Sequence, residues 1–224
     1  MDFGIEVALL LLLLALFSAV SFYKKTISNT GILVGNIVGL VVFFLGGLQS
    51  FVALAALFAV AEITTFYSRL KLKEKHEQRT TSNIIGNSGA ALIVLLLGFQ
   101  QAFFGAIAAA LADTTAGEIG MLSKKKPRLI TTLRRVETGT DGAITLLGLI
   151  TGFFGGLAIG SIYLFFSGDI KGFAFITVAG IVGNVVDSLI GAVFERRKLL
   201  NNSQVNFLAG LSGAITVLVL SAMF

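Results

Sequence analysis

Apolar residues along this chain fall in long runs broken by short polar clusters, and the runs set the elements. Stretches long enough to cross, or nearly cross, about 30 Å of hydrocarbon lie at 4–22, 31–47, 50–68, 83–98, 103–119, 143–166, 172–194 and 205–223. The pattern predicts an all-α, polytopic integral membrane protein with about eight transmembrane helices. The second and fourth runs are short and Gly-rich, as half-buried or interrupted helices are. The first run follows Asp2 rather than Lys or Arg, so it lacks the basic leader of a secretory signal and reads as a retained helix. No stretch reads as a soluble domain, linker or low-complexity tail, so residues 1–224 are expected to form a single transmembrane domain.

Composition agrees with the pattern. Hydrophobic residues make up 55% of the chain and charged residues 13%, with a mean hydropathy of +0.92, outside the range of a soluble domain. Cysteine is absent and there is one histidine. That excludes disulfides, thiolate metal sites, a Cys nucleophile and a His-cluster metal site. A bound metal would be held by oxygen, which favours a hard cation such as Mg²⁺ bridging carboxylates and substrate phosphates. The net charge of +5 does not point to nucleic acid, because the basic residues lie in short clusters between apolar runs. Lys24, Lys25, Arg69, Lys71, Lys73, Lys75, Arg79, Lys124 to Lys126, Arg128, Arg134, Arg135, Arg196, Arg197 and Lys198 all fall in alternate loops, leaving only Lys171 on the other side. The positive-inside rule assigns those loops to the cytoplasm and both termini to the opposite face.

Polar residues inside the apolar runs are distributed with the same asymmetry. Asn36, Glu62, Asn87, Asp113, Glu118, Asn184, Asp187 and Asn206 lie in the half of their helices nearest the basic loops; only Glu6 departs. Ionisable groups in a membrane are costly and face a cavity, a bundle interior or one another. Their one-sided clustering points to one site open to the cytoplasm. In "GIVGNVVDSLIG", Gly180, Asn184, Asp187 and Gly191 form one helical stripe, and Asn83, Asn87 and Ala90 repeat it more weakly. Hydrogen bonding between helices is the structural alternative for each of these amides. Asp113 and Glu118 are five residues apart, about 140° around a helix, so they share a face only if Gly117 and Gly120 end or bend it. Gly148, Gly152, Gly156 and Gly160 lie on one face, which reads as a packing surface. The likeness of "GILVGNIVG" (31–39) to "GIVGNVVD" (180–187) is too short to establish an inverted repeat.

The loop "SKKKPRLITTLRRVETGTDGA" ends in Gly139, Thr140, Asp141 and Gly142, just before the Gly-striped helix. Such a turn offers free backbone N–H groups and the positive end of a helix dipole to a phosphate. Attraction to anionic lipid headgroups is the alternative for its positive charge. The run "RLKLKEKHEQR" (69–79), with His76, reads as a solvated loop. No P-loop, Rossmann fingerprint or nucleophile elbow is present.

Four segments carry a family resemblance: "LADTTAGEIG", "PRLITTLRRVETGTDGAITLLG", "GNVVDSLIGAVFE" and "NNSQVNFLAG". Over roughly residues 79–213 the sequence resembles an integral-membrane family that includes plant phytyl-phosphate kinases of tocopherol synthesis, itself similar to CTP-using dolichol kinases and CDP-lipid synthases. Gly117 stands where many members carry Ser. The resemblance implies phosphoryl transfer from a nucleoside triphosphate such as CTP to an isoprenyl monophosphate such as phytyl phosphate. It implies Asp113, Glu118 and Asp187 as catalytic residues holding Mg²⁺. Nucleotide and phosphate binding then falls to Arg134, Arg135 and the 139–142 turn, with Thr131, Thr132, Asn87, Asn184 and Asn206, and the prenyl chain would lie along the glycine faces. Two rivals use similar residues: a cytidylyltransferase forming a CDP-lipid, and a transporter of an anionic solute, whose site would sit near the midplane.

Overall fold

The Ala-rich run "GAIAAALA" (105–112) supplies the axis of the fold. In the computed structural model, which describes residues 3–73 and 78–224, it lies in α4 (Gln100–Gly120), where Phe103, Phe104, Ile107, Ala108, Ala109, Leu111 and Ala112 are fully shielded. Side chains this small let neighbouring helix backbones come close, which is how helices associate in lipid. Packed on α4 are α2 (Asn29–Leu72), α3 (Thr81–Leu96), α5 (Leu146–Ser167), α6 (Ile170–Ile190) and α7 (Asn202–Met223), while α1 (Phe3–Lys24) lies against α2. Among the described residues the fold is all-α apart from one small two-stranded sheet. Among the described residues, six helices are long and apolar enough to cross a membrane, and α3, with 16 residues, is apolar but shorter.

The segments expected at 31–47 and 50–68 are the two arms of α2. The backbone leaves helical geometry at Gly47 (φ 70°, ψ −175°), a conformation that a side chain would strain. The chain folds back there. A Cβ on Gly39 would lie 3.3 Å from the Phe51 ring, the Phe43 and Phe51 rings are 6.2 Å apart, and both arms reach Phe17 of α1. The Gly46 carbonyl at the break accepts a hydrogen bond from Gln100 Nε2 at 2.6 Å.

Contacts between the connections define two ends of the bundle. At one end Arg79 pairs with the segment between α1 and α2 (Arg79 N to Thr26 O, 2.8 Å; Ser28 N to Arg79 O, 3.0 Å), and Ser82 bonds Ser203 at 2.8 Å. At the other, Gln101 contacts Tyr163 and Asp169, and Lys171 Nζ donates to Phe224 O at 2.9 Å. The described basic residues other than Lys171 belong to the first end, in keeping with their alternation along the sequence.

The connection from 121 to 145 folds at the basic end. Its strands β1 (Arg128–Leu129) and β2 (Ala143–Ile144) pair antiparallel, and Ile130 N donates to Gly142 O at 3.0 Å. It docks on a π turn, Gly191–Glu195, that prolongs α6. The glycine stripe of α5 faces α4 and α6: a Cβ on Gly152 would lie 3.0 Å from Ala112 O, and one on Gly156 would lie 3.2 Å from Gly180 Cα. The stripe is a packing surface, and helix backbone fills the faces along which a prenyl chain was expected to lie.

Candidate functional site

Two acids meet because two backbones touch. Gly183 of α6 abuts Ala109 of α4 so closely that a Cβ on it would collide with the Ala109 methyl. Both helices run toward the basic end. Four residues, or about one turn, further along each come Asp113 and Asp187, whose carboxyl groups lie within hydrogen-bonding reach of one another. A pair this close is stable when a proton or a cation lies between its members. Asp141 and Glu195 bring two more negative charges near them.

Amides surround the pair. Asn184 lies over Gly152 of α5. Asn206 sits between α3 and α6: with its nitrogen turned toward acceptors it donates to Asp187 Oδ2 at 3.2 Å and to Asn202 O at 3.1 Å, while its other amide atom is 2.9 Å from the Asn87 amide. That orientation is assigned from the hydrogen-bond network.

These groups open into a cavity of about 510 Å³ at the basic end, a size suited to a small polar ligand. One wall is the turn before α5. Gly139 (φ 84°) and Gly142 (φ 71°) both take left-handed conformations, and a Cβ on Gly142 would collide with the backbone of Ala192. Thr145 caps α5, accepting from Gly148 N at 2.9 Å, and its hydroxyl reaches Gly120 O at 3.3 Å. The positive end of the α5 dipole therefore faces the cavity.

Glu118 is on a different wall from the aspartates. Its Oε1 accepts from Thr65 Oγ1 at 3.0 Å, and Thr65 Oγ1 in turn accepts from Arg79 Nη2 at 2.9 Å. Arg79 Nε lies 3.6 Å from Glu62 Oε2. Burial pulls the Arg79 guanidinium below its ordinary value, and the Glu62 and Glu118 carboxylates oppose that shift.

Of the residues singled out in the sequence, Asn87, Asp113, Glu118, Gly139, Thr140, Asp141, Gly142, Asn184, Asp187 and Asn206 all line the cavity. Thr131, Thr132, Arg134 and Arg135 do not; they are exposed on the hairpin that follows β1, where Leu133 takes a positive φ. The three carboxylates expected to share a metal do not form one cluster. Among the described residues no three Asp, Glu, His or Cys side chains converge as a metal-ligand set, because Glu118 turns to Thr65. Asp113 and Asp187 remain, a donor set suited to a hard cation completed by water and substrate phosphates. Thr65, Arg69, Gln78, Arg79 and Asn202 also line the cavity and were not singled out. Arg69 and Arg79 lay within a run read as solvated, and Thr65 carried no signal at all. His76 lies outside the described residues.

Residues 12–214 match the family described as integral membrane protein DUF92. The chain belongs to that family. A membrane protein of Methanocaldococcus jannaschii is 37% identical over 86% of this chain and 84% of its own. A membrane protein of Synechocystis is 29% identical over 89% and 84%, and Protein VTE6, chloroplastic, of Arabidopsis thaliana is 26% identical over 87% and 65%. No solved structure matches.

Proposed function

We propose that this DUF92 protein is a membrane-embedded kinase that transfers the terminal phosphoryl group of a nucleoside triphosphate, CTP or ATP, to an isoprenyl monophosphate such as phytyl phosphate. The observation that carries the reading is the Asp113–Asp187 pair, in one cavity with the Gly139–Gly142 turn and the start of α5. The motif resemblance to plant phytyl-phosphate kinases, together with the chloroplast relative, favours the same chemistry. The positive-inside rule turns the basic end, and the cavity with it, toward the cytoplasm.

Phosphoryl transfer asks for charge neutralisation and alignment more than for covalent chemistry by the protein. Asp113 and Asp187 would hold Mg²⁺, which offsets the charge of phosphate oxygens when bound. Asn206 and Asn87 fix the orientation of Asp187. The positive end of the α5 dipole, with those N–H groups of the turn that are not already bonded within it, would take a phosphate. In the transfer, the bond from the bridging oxygen to the terminal phosphorus breaks and a bond from the prenyl phosphate oxygen forms, leaving a nucleoside diphosphate and a prenyl diphosphate. That attacking oxygen is already anionic at neutral pH, so no protein base is required.

A cytidylyltransferase would use the same groups but release pyrophosphate. A transporter fits less well, because beneath the cavity α4 is fully packed at Phe103, Phe104 and Ile107. The test is turnover by the purified protein with Mg²⁺, CTP or ATP, and labelled prenyl monophosphates. Nucleoside diphosphate with prenyl diphosphate is the expected outcome. Pyrophosphate release transfers the protein to the cytidylyltransferases, and no product from any pairing overturns the enzymatic reading.

A further inference from the structure

A lipid with a charged head must reach the cavity without dragging its chain through water, and the walls of the cavity are unequally closed. Between α3 and α7, a Cβ on Gly86 would lie 2.9 Å from the Ser203 backbone, and Ser82 bonds Ser203. An apolar groove of about 680 Å³ beside Ile85, Phe207 and Leu208 therefore lies behind this seam, outside the cavity. The Gly156–Gly180 contact closes α5 on α6, and Gly142 closes the loop on Ala192. The side nearest α3 is crossed by the Arg79, Thr65 and Glu118 hydrogen bonds.

The gap between α2 and α5 differs, because these two pack together least of the neighbouring helices around α4. Across it α4, shielded from Ala102 to Ala112, presents Gly117, which is exposed, lines the cavity and has no atom within 4 Å of the position a Cβ would take. Thr114 and Met121 flank Gly117 on the same face of α4. On α5 the cavity wall becomes apolar at Leu149, which is 38% exposed and is followed by the exposed Ile150. Polar lining thus gives way to apolar lining on the side where the helices around α4 pack together least.

We infer that this gap is the lateral passage for the hydrocarbon chain of the lipid substrate, which leaves the cavity between α2 and α5 across Gly117 while its phosphate remains near Asp113 and Asp187. The identity of that lipid rests on the prenyl-phosphate reading above. The passage keeps the chain in apolar surroundings along its length, and it makes residue 117 a determinant of chain selectivity: the absence of a side chain there leaves the opening wide.

Two measurements test this. In the first, Gly117→Ala and Gly117→Phe are compared with the parent on five-carbon and twenty-carbon prenyl monophosphates. The ratio of kcat/KM for the long chain to that for the short is expected to fall about tenfold or more in the Phe variant and less in the Ala variant; a ratio equal in all three proteins overturns the inference. The second needs no turnover. The chain has no cysteine, so Gly117→Cys carries a single bimane label. In bilayers of lipids brominated on their acyl chains, it should be quenched as strongly as a label at the lipid-facing Phe165→Cys, and more than one at the exposed loop position Lys125→Cys. Quenching no greater than at position 125 overturns the opening. Quenching at 117 without turnover of any prenyl phosphate upholds the opening and removes the prenyl-phosphate reading instead.

Discussion

Gly183 lies against Ala109 with no space for a side chain between α6 and α4, and this contact fixes the separation of Asp187 and Asp113 one turn beyond it. Gly183→Leu should force the helices apart at a cost of about 1–3 kcal/mol, the usual range for overpacking, with loss of turnover. The thermal midpoint in detergent is the measurement. An unchanged midpoint would mean that the two helices do not meet at this point.

The paired acids make a sharper prediction. Asp113→Asn and Asp187→Asn keep the size of the side chain and a hydrogen bond across the pair, but remove a negative charge. Each should lower Mg²⁺-dependent turnover by about a hundredfold or more while the protein stays folded. Parent-level activity in both variants, at parent thermal midpoints, rejects the catalytic assignment.

Thr65 links two charged groups through one hydroxyl. Thr65→Val preserves shape while deleting the acceptor for Arg79 and the donor to Glu118, so a loss of about 1–3 kcal/mol is expected. Thr65→Ser restores most of it. Denaturant or thermal unfolding of the two variants side by side decides the matter: if valine and serine behave alike, the hydroxyl is not the link.

The turn before α5 can be probed with two glycines. Gly142→Ala meets both backbone strain and the Ala192 backbone, whereas Gly139→Ala meets strain alone, since no atom lies within 4 Å of its Cβ position. Displacing the turn should raise the KM for nucleotide by about tenfold or more in Gly142→Ala, with a smaller change in Gly139→Ala. Equal KM values in the two variants would show that docking on the π turn does not position the phosphate site.

How far the sequence revealed this arrangement depends on the kind of signal each residue carries. Asp113, Asp187, Asn184, Asn206 and Asn87 were legible because an acid or amide in an apolar run needs a reason to be there. The angular offset of Glu118 from Asp113 was legible too, and the structure turns that offset into separate partners. Arg79 and Thr65 were not legible: they meet because backbone hydrogen bonds to Thr26 and Ser28 hold Arg79 beside the second arm of α2. Arg134 and Arg135 were read as phosphate ligands from their charge and their place in a motif, but the direction of a loop side chain is set by local turns. The positive φ of Leu133 and the β1–β2 pairing leave both arginines exposed.

The reversal of α2 has a consequence for the shape of the molecule's two faces. At the end away from the cavity the chain turns at Gly47, at 97–99 and at 168–169, each a link of three residues or fewer. Apart from the chain termini, that side lies flush with the bundle and offers a soluble protein almost nothing to grip. Whatever water-soluble ligand the cavity takes must then arrive from, and leave to, a single aqueous compartment.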